Sequence, residues 1–66
     1  MKIGSKIRGA RAECGMTQAE LATAIGCSSA TVANWEKGKT GVKVDSLKKI
    51  SEVTEKSLEY FLGLRV

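Results

Sequence analysis

The stretch TQAELATAIGCSSATVANWEKG, residues 17–38, decides the fold of this 66-residue chain. Its first four residues have the form of a capping box: the Thr17 hydroxyl can accept a hydrogen bond from the Glu20 amide while the Glu20 side chain reaches back. Apolar residues at helical spacing follow as far as Ile25. Gly26 then supplies the residue that most easily adopts the left-handed conformation of a helix end. The pattern predicts a helix over residues 18–25.

A second helix follows after a very short turn. Ser28 is a typical N-cap and Gly38 a typical C-cap, so the residues between them predict a helix over residues 29–37. Val32 and Trp35 stand three positions apart on one face of it, and we assign both to the core. Two helices joined by so tight a turn predict a helix-turn-helix.

Helical periodicity extends upstream of this unit. Apolar residues recur at helical spacing at Ile3, Ile7, Ala10 and Cys14, and Gly15 follows as a stop. This pattern predicts a first helix over residues 3–14.

Two more helices are predicted downstream. The fourth is capped by Asp45 or Ser46, and the fifth runs from about Ser57 to Gly63. The residues expected to face inward are Leu47, Ile50 and Val53 in the fourth helix and Leu58, Phe61 and Leu62 in the fifth. The sequence therefore predicts an all-α, compact five-helix bundle, with residues 1–66 as a single domain.

Composition narrows the classes of function. The chain carries 11 Lys and Arg against 7 Asp and Glu, a formal charge of +4 that favours an anionic partner. It has no histidine and only two, isolated, cysteines, so we expect no metal site and no cofactor. No nucleophile and base stand in a pattern that would make an enzyme.

Targeting signals are also missing from the sequence. The N-terminus lacks the apolar segment of a signal peptide. No apolar run approaches the ~18 residues that a membrane span requires. We therefore expect a cytoplasmic protein.

The outer face of the helix over residues 29–37 carries side chains that can read bases. Ser29, Thr31 and Asn34 can hydrogen-bond to base edges, and Ala30 can touch a thymine methyl group. Small residues at the start of the helix let it enter the major groove, which is about 12 Å wide. The alternative is a plain helical bundle with a polar surface.

Residues next to this face suit the phosphate backbone. The N-terminus of the helix over residues 18–25 presents free amides and a positive dipole end. Gln18 lies there, and it can either bond a phosphate oxygen or brace the following helix. A lysine-rich run between Lys37 and Lys49 contains one acid, Asp45. Such a run is equally compatible with an ordinary solvated surface.

Two charges fall close to the apolar stripes. Arg11 lies four residues after Ile7, and Glu36 lies four residues after Val32. An isolated buried charge would cost several kcal/mol, so the two are expected to form an ion pair. The alternative is two exposed residues that never meet.

A set of residues stands at characteristic offsets along the chain: Gln18-Ala19-Glu20-Leu21-Ala22, Gly26, Val32 and Trp35-Glu36-Lys37-Gly38-Lys39. From roughly Ile3 to Gly63, the chain with this pattern resembles the lambda-repressor-like, Cro/C1 or Xre-type, helix-turn-helix family of phage and bacterial regulators. The resemblance implies a five-helix bundle whose dimer binds a near-palindromic operator. It also implies an ion pair between Arg11 and Glu36.

The resemblance assigns roles to individual positions. Ser29, Ala30 and Asn34 match the base-reading positions of the recognition helix, and Thr31 stands beside them. Gln18 matches the family's glutamine at the DNA backbone, and Lys39, Thr40 and Lys43 match the loop that runs along the phosphates. With their neighbours, the residues expected to contact phosphates are Thr17, Gln18, Lys37, Lys39, Thr40 and Lys43.

Some positions depart from the family pattern. Recognition positions that often hold long amides or arginine are Ser29, Ala30 and Asn34 here, so fewer bidentate contacts are possible and DNA shape can carry part of the recognition. Thr54 and Lys56 stand where the family usually has apolar residues, which implies a different turn before the last helix.

Two classes of function are compatible with these features. The first is a transcriptional repressor that binds double-stranded DNA as a homodimer, paired through Tyr60, Leu64 and Val66 near the C-terminus. The second is a protein-interaction module of the same fold, such as an antitoxin or an adaptor. An adaptor has no need of a cationic loop, and this chain has one.

Overall fold

The structure, a computed structural model, describes residues 3–63 of the chain. Within that range it contains five helices and no strand: α1 Ile3–Glu13, α2 Gln18–Ile25, α3 Ser29–Lys37, α4 Val44–Thr54 and α5 Leu58–Leu62. The predicted all-α five-helix bundle is therefore confirmed. Over residues 3–63, no helix combines the length and the apolar composition needed to cross a membrane.

Both ends of α2 are determined by local hydrogen bonds. The Thr17 hydroxyl accepts from the Glu20 amide at 3.1 Å, and the Thr17 amide donates to the Glu20 carboxylate at 2.8 Å. At the other end, Gly26 has a left-handed φ of 85°, and its amide donates to the Ala22 carbonyl at 2.8 Å. Because glycine takes this conformation without strain, the chain can reverse within residues 26–28.

The ends of α3 are determined in the same way. The Ser28 hydroxyl accepts from the Thr31 amide at 3.2 Å, and Gly38 ends the helix in a left-handed conformation. The Lys39 amide then donates to the Asn34 carbonyl at 2.9 Å. This bond ties the start of the α3–α4 loop, residues 38–43, to α3.

The core lies where the helices meet. Its buried apolar residues are Ile7, Ala10, Leu21, Ala22, Ile25, Val32, Trp35, Leu47, Ile50 and Phe61. Burying a large apolar side chain stabilises a fold by about 1.5–3 kcal/mol. Val32 is fully buried and Trp35 is 7% exposed, so these two side chains anchor α3 and turn its opposite face to solvent.

α1 and α3 approach each other closely at Gly4. A Cβ atom at this position would lie 2.7 Å from the carbonyl oxygen of Glu36 and closer still to that of Trp35. Both oxygens belong to backbone, which cannot move aside as the end of a flexible side chain can. The crossing of α1 over the end of α3 therefore requires a residue without a side chain.

Two predicted helix boundaries are wrong. α1 ends at Glu13, so Cys14 lies beyond the helix and is exposed instead of joining the core. α4 begins at Val44 with Lys43 as its N-cap, not with Asp45 or Ser46. Lys43 makes no side-chain capping bond, whereas Asp45 lies in the first turn, where a negative charge favours the helix dipole.

The predicted inward face of α5 is partly wrong. Phe61 is buried, and Leu58 is half-buried against the core, but Leu62 is 53% exposed. Leu62 stands about 100° around the helix from Phe61. With Phe61 pointing into the core, this angle places Leu62 at the surface.

The turn between α4 and α5 accommodates both departures from the family pattern. Thr54 is buried, and its hydroxyl donates to the Ile50 carbonyl at 2.7 Å, so the buried polar group is satisfied. Glu55 ends α4 in a left-handed conformation. The Lys56 ammonium lies 3.2 Å from a carboxylate oxygen of Glu13, which joins this turn to the end of α1.

Candidate nucleic-acid interface

The outer face of α3 carries the four residues predicted to read bases. Successive residues of a helix are about 100° apart, so Ala30 and Asn34 lie opposite the buried Val32 and Trp35. Ser29 and Ala30 are exposed, and Thr31 and Asn34 are half-buried. All four therefore reach the same side of the molecule, although Ser29 and Thr31 stand at its two edges.

The Thr31 hydroxyl is already engaged within the chain. It lies 3.0 Å from the hydroxyl of Ser28, which in turn caps α3. A hydroxyl has one hydrogen and two acceptor lone pairs, so Thr31 retains some capacity for a further bond. Asn34 offers the richer surface, since a side-chain amide can donate and accept towards one base.

Glu36 is the meeting point of three helices. Its carboxylate accepts from the Arg11 Nε at 2.7 Å and the Arg11 Nη2 at 3.2 Å, and also from the Gln18 side-chain amide at 3.1 Å. The Glu36 side chain is 4% exposed. The Arg11 guanidinium also donates to the Met16 carbonyl at 2.7 Å. These bonds join α1, the start of α2 and the end of α3.

The hydrogen bonds of this network compensate for the burial of the Arg11 and Glu36 charges. A bidentate contact between guanidinium and carboxylate is among the strongest polar interactions in proteins. The hydrogen bond to Glu36 raises the pKa of Arg11 above its ordinary value. The arginine therefore keeps its charge at neutral pH and well above it.

Gln18 braces α3, one of the two roles that its position allows. One hydrogen of its amide nitrogen points to Glu36. The amide nitrogen carries a second hydrogen, and the amide oxygen is an acceptor. Bracing Glu36 and bonding a further partner are therefore compatible for the same side chain.

The residues predicted to contact phosphates fall into two groups. Lys37, Lys39 and Thr40 line a cleft of about 420 Å³ between the start of α1 and the α3–α4 loop. Lys43 lies instead in a recess of about 370 Å³ beside α4, which we call the α3–α4 recess; its lining includes Cys27, Thr31, Lys43 and Lys49. Thr17 is exposed at the start of α2.

Lys49 was not among the residues predicted to contact phosphates. It belongs to the lysine-rich run, but a run of like charges does not tell which member faces the site. Only the fold shows that Lys49 shares a recess with Lys43 and Thr31. Burial raises the pKa of the Cys27 thiol in this recess, with the charge of Lys49 acting in the opposite direction. This keeps the thiol protonated at neutral pH.

Tyr60, predicted to face a partner subunit, packs partly against its own chain. The Lys6 and Lys56 ammonium groups lie 4.7 Å and 5.3 Å from the centroid of its ring. The ring also meets Phe61 edge to face at a centroid distance of 5.2 Å. Leu64 and Val66, the other two residues predicted at this interface, lie outside the described residues.

A comparison with protein families identifies this arrangement. The model of a helix-turn-helix family matches residues 7–61, most of the chain. The chain belongs to the Cro/C1-type helix-turn-helix family. Members of this family are DNA-binding regulators of transcription. No curated protein matches the chain in sequence.

Solved structures of Cro/C1-type proteins are similar over nearly the whole chain. The P22 c2 repressor, solved in complex with a synthetic operator, is 26% identical, with 92% of each chain covered and a TM-score of 0.86. The restriction-modification controller protein C.AhdI from Aeromonas hydrophila is 23% identical, with 91% of this chain and 87% of its own chain covered and a TM-score of 0.85. At that identity the second likeness shows the fold alone.

The same fold also occurs inside a longer chain. HppE, solved with cobalt(II) and a substrate, is 28% identical with a TM-score of 0.83, covering 91% of this chain but only 34% of its own. Among residues 3–63 of the present chain, no three metal-binding side chains gather into a cluster. The likeness to HppE extends over about a third of that chain.

Proposed function

We propose that this chain is a sequence-specific transcriptional repressor that binds a near-palindromic operator in double-stranded DNA as a homodimer. Residues 1–66 act as one DNA-binding domain in this proposal, in the cytoplasm, where the DNA lies. The observation that carries the proposal is the outer face of α3, where small and hydrogen-bonding side chains stand beside the exposed cations of the α3–α4 loop.

Asn34 is the principal base-reading residue in this proposal. Its amide can donate and accept towards an adenine in the major groove. Ser29 supplies one further hydrogen bond, and Ala30 contacts a thymine methyl group. Thr31 can add a hydrogen bond through the part of its hydroxyl that the bond to Ser28 does not occupy. Because only one of these side chains can make a bidentate contact, DNA shape and deformability carry part of the specificity.

Phosphate contacts place α3 in the groove. Lys37, Lys39 and Thr40 supply them from the large cleft, and Lys43 supplies one from the α3–α4 recess. Thr17 and Gln18 contribute from the N-terminus of α2, where backbone amides and the helix dipole also favour an anion. Contacts of this kind fix register and orientation without reading sequence.

The dimer is proposed to form through the C-terminal region. Tyr60, Leu64 and Val66 are the predicted contacts, and the exposed Leu62 extends this apolar surface. A two-fold axis would set two copies of α3 about one turn of DNA apart, roughly 34–36 Å. The likeness to a repressor solved with a synthetic operator supports binding to double-stranded DNA.

Selection from a random duplex pool tests the proposal. Sequences retained by the protein at about 0.15 M salt should converge on one motif, with two-fold symmetry and half-sites about one helical turn apart. A motif without symmetry would contradict the dimer. A pool that does not converge would contradict sequence-specific binding and favour a protein-interaction role.

The same selection with Asn34→Ala locates the base-reading face. Loss of one good base contact costs about 1–3 kcal/mol at the selected site, and the preference at one position of each half-site should relax. Affinity for random duplex should stay the same. Equal losses on selected and random duplexes would remove Asn34 from the base-reading residues.

A further inference from the structure

A notch on the α1 side of α3 contains an arginine that no assignment above includes. It has a volume of about 270 Å³ and is lined by Arg8, Arg11, Gln18, Glu36 and Lys37. We call it the α1 notch. It brings together three cationic side chains, one carboxylate and the Gln18 amide, from α1, α2 and α3.

The single carboxylate of the notch is already hydrogen-bonded through both oxygens within the protein. Glu36 accepts from Arg11 through both of its oxygens and from Gln18 through one of them, and it is almost completely buried. Arg11 in turn is committed to Glu36 and to the Met16 carbonyl. The charges of Arg11 and Glu36 cancel, so this ion pair adds no net charge to the notch.

Arg8 and Lys37 are the cations that remain. Both are exposed, and within residues 3–63 neither lies within 4.0 Å of a carboxylate oxygen. They line the same recess as Gln18, whose amide nitrogen has a second hydrogen beside the one bonded to Glu36. Such a recess is complementary to a small anion with several acceptor oxygens.

The position of the notch on α3 relates it to the DNA. Thr31, which lines the α3–α4 recess, and Glu36, which lines the α1 notch, stand about 140° apart around the helix axis. That arc holds the buried Val32 and Trp35, and the base-reading face occupies the wider arc on the other side of the helix, flanked by the same two residues. A helix seated in the major groove has a phosphate backbone on each side, so each flank faces one strand.

We propose that a backbone phosphate of the bound DNA occupies the α1 notch, held by Arg8 and Lys37 and by the Gln18 amide. Arg8 is thereby a phosphate-contacting residue that sets the position of α3 from the side opposite Lys43 and Lys49. Its planar guanidinium can hold two phosphate oxygens at once. This inference rests on the proposed function, since it requires that α3 bind DNA.

The test compares Arg8→Gln with Lys48→Gln. Both variants lose one positive charge, but Lys48 is exposed on α4 and is not among the residues that line the notch, the recess or the cleft described above. Affinity for the duplex selected by the unmodified chain is measured from 50 to 200 mM salt. Arg8→Gln should weaken binding about tenfold at low salt and reduce the slope of log K against log salt by about 1. Lys48→Gln should leave the slope unchanged.

A modified duplex then identifies the contact itself. Replacing single phosphates of the selected duplex by uncharged methylphosphonate should reveal a position at which the loss of affinity is clearly smaller for Arg8→Gln than for the unmodified chain, since only Lys37 and Gln18 still contact that phosphate in the variant. Additive losses at every position would overturn the assignment of Arg8. Circular dichroism of both variants verifies folding, which is expected because both side chains are exposed.

The outcomes separate this inference from the proposed function. If the unmodified chain binds no duplex, the proposed function fails and the phosphate site falls with it. If it binds a selected duplex and Arg8→Gln behaves like Lys48→Gln, the proposed function stands and only the phosphate site in the α1 notch is overturned.

Discussion

At the scale of single residues, the carboxylate of Glu36 joins three helices. It receives hydrogen bonds from Arg11 on α1 and Gln18 on α2, while its own backbone belongs to α3. Removing one partner from a buried ion pair leaves an uncompensated charge, which is far more harmful than removing an exposed charge. The stability of the fold and the position of Gln18 therefore depend on the same few atoms.

Arg11→Ala should lower the free energy of unfolding by about 3–5 kcal/mol, because Glu36 would remain buried without its cation. Thermal unfolding followed by circular dichroism measures the change. Arg8→Ala is the matched control on the same helix, and its exposed side chain should leave the free energy within about 0.5 kcal/mol. Similar melting curves for the two variants would show that the ion pair does not stabilise the protein.

A second prediction at this scale concerns the substitution of Gly4. Gly4→Ala should lower the free energy of unfolding by about 1–3 kcal/mol, because the added Cβ would overlap the carbonyl oxygens of Trp35 and Glu36. Gly9→Ala is the control, since a Cβ there would meet only the Tyr60 hydroxyl, at an ordinary 3.7 Å. That variant should be stabilised by about 0.5–1 kcal/mol through better helix propensity. Chemical denaturation measures the free energy of unfolding of both variants. Changes of the same sign in the two variants would refute the close approach at Gly4.

At the scale of helices and loops, the α3–α4 loop combines backbone order with positive charge. Its first residues are tied to α3, with the Lys39 amide bonded to the Asn34 carbonyl. Lys37, Lys39 and Thr40 then line one wall of the cleft beside α1. A loop anchored in this way can hold its cations at a fixed distance from α3.

Lys39→Ala should weaken binding to every duplex alike and reduce the salt slope by about 1, because a phosphate contact carries no sequence information. The measurement is a salt titration with a selected and a random duplex. The sequence preference of this variant should match that of the unmodified chain. A loss confined to the selected duplex would instead assign Lys39 to base reading.

The helix-turn-helix could be predicted closely from sequence because its ends are determined by local chemistry. Thr17, Ser28, Gly26 and Gly38 each act through bonds to residues within a few positions. α4 differs, since its cap Lys43 makes no side-chain bond and leaves no recognisable pattern. The start of that helix was accordingly misplaced by two or three residues.

Features that depend on contacts between distant residues could not be predicted in the same way. Gly4 resembles any other glycine in a helix until the backbone of α3 is known to cross it. Leu62 fits an apolar spacing, but a helix of five residues has too few positions for periodicity to choose its buried face. Arg8 is one exposed cation among several, and only the fold places it beside Lys37.

At the scale of the whole molecule, the two ends of the bundle have different character. Exposed cations surround the outer face of α3, whereas α5 presents the half-buried Tyr60 and the exposed Leu62. Tyr60 is steadied on its own chain by Lys6 and Lys56, so part of this surface is ordered before any partner binds. Pre-ordering of a contact residue reduces the entropy lost on association.

Leu62→Glu should weaken the proposed dimer ten- to a hundredfold, since a leucine buried at an interface contributes about 1.5–3 kcal/mol. Sedimentation equilibrium over a range of protein concentrations measures the association. Val44→Glu makes the same change at another exposed apolar residue, on α4, and should leave association unchanged. Equal effects of the two substitutions would place the dimer interface elsewhere than α5.

Trp35, the single tryptophan of the chain, makes the folding of the bundle optically visible. Its indole is buried where α3 packs against the rest of the core, while the face of α3 proposed for DNA points away from it. Fluorescence emission from a buried indole lies at shorter wavelengths than emission from one in water. A shift to longer wavelengths therefore reports the detachment of α3 from the core, whereas docking of DNA on the opposite face leaves the emission maximum in place. The emission of Trp35 can thus show, for every variant described above, whether a protein that has lost binding is still folded.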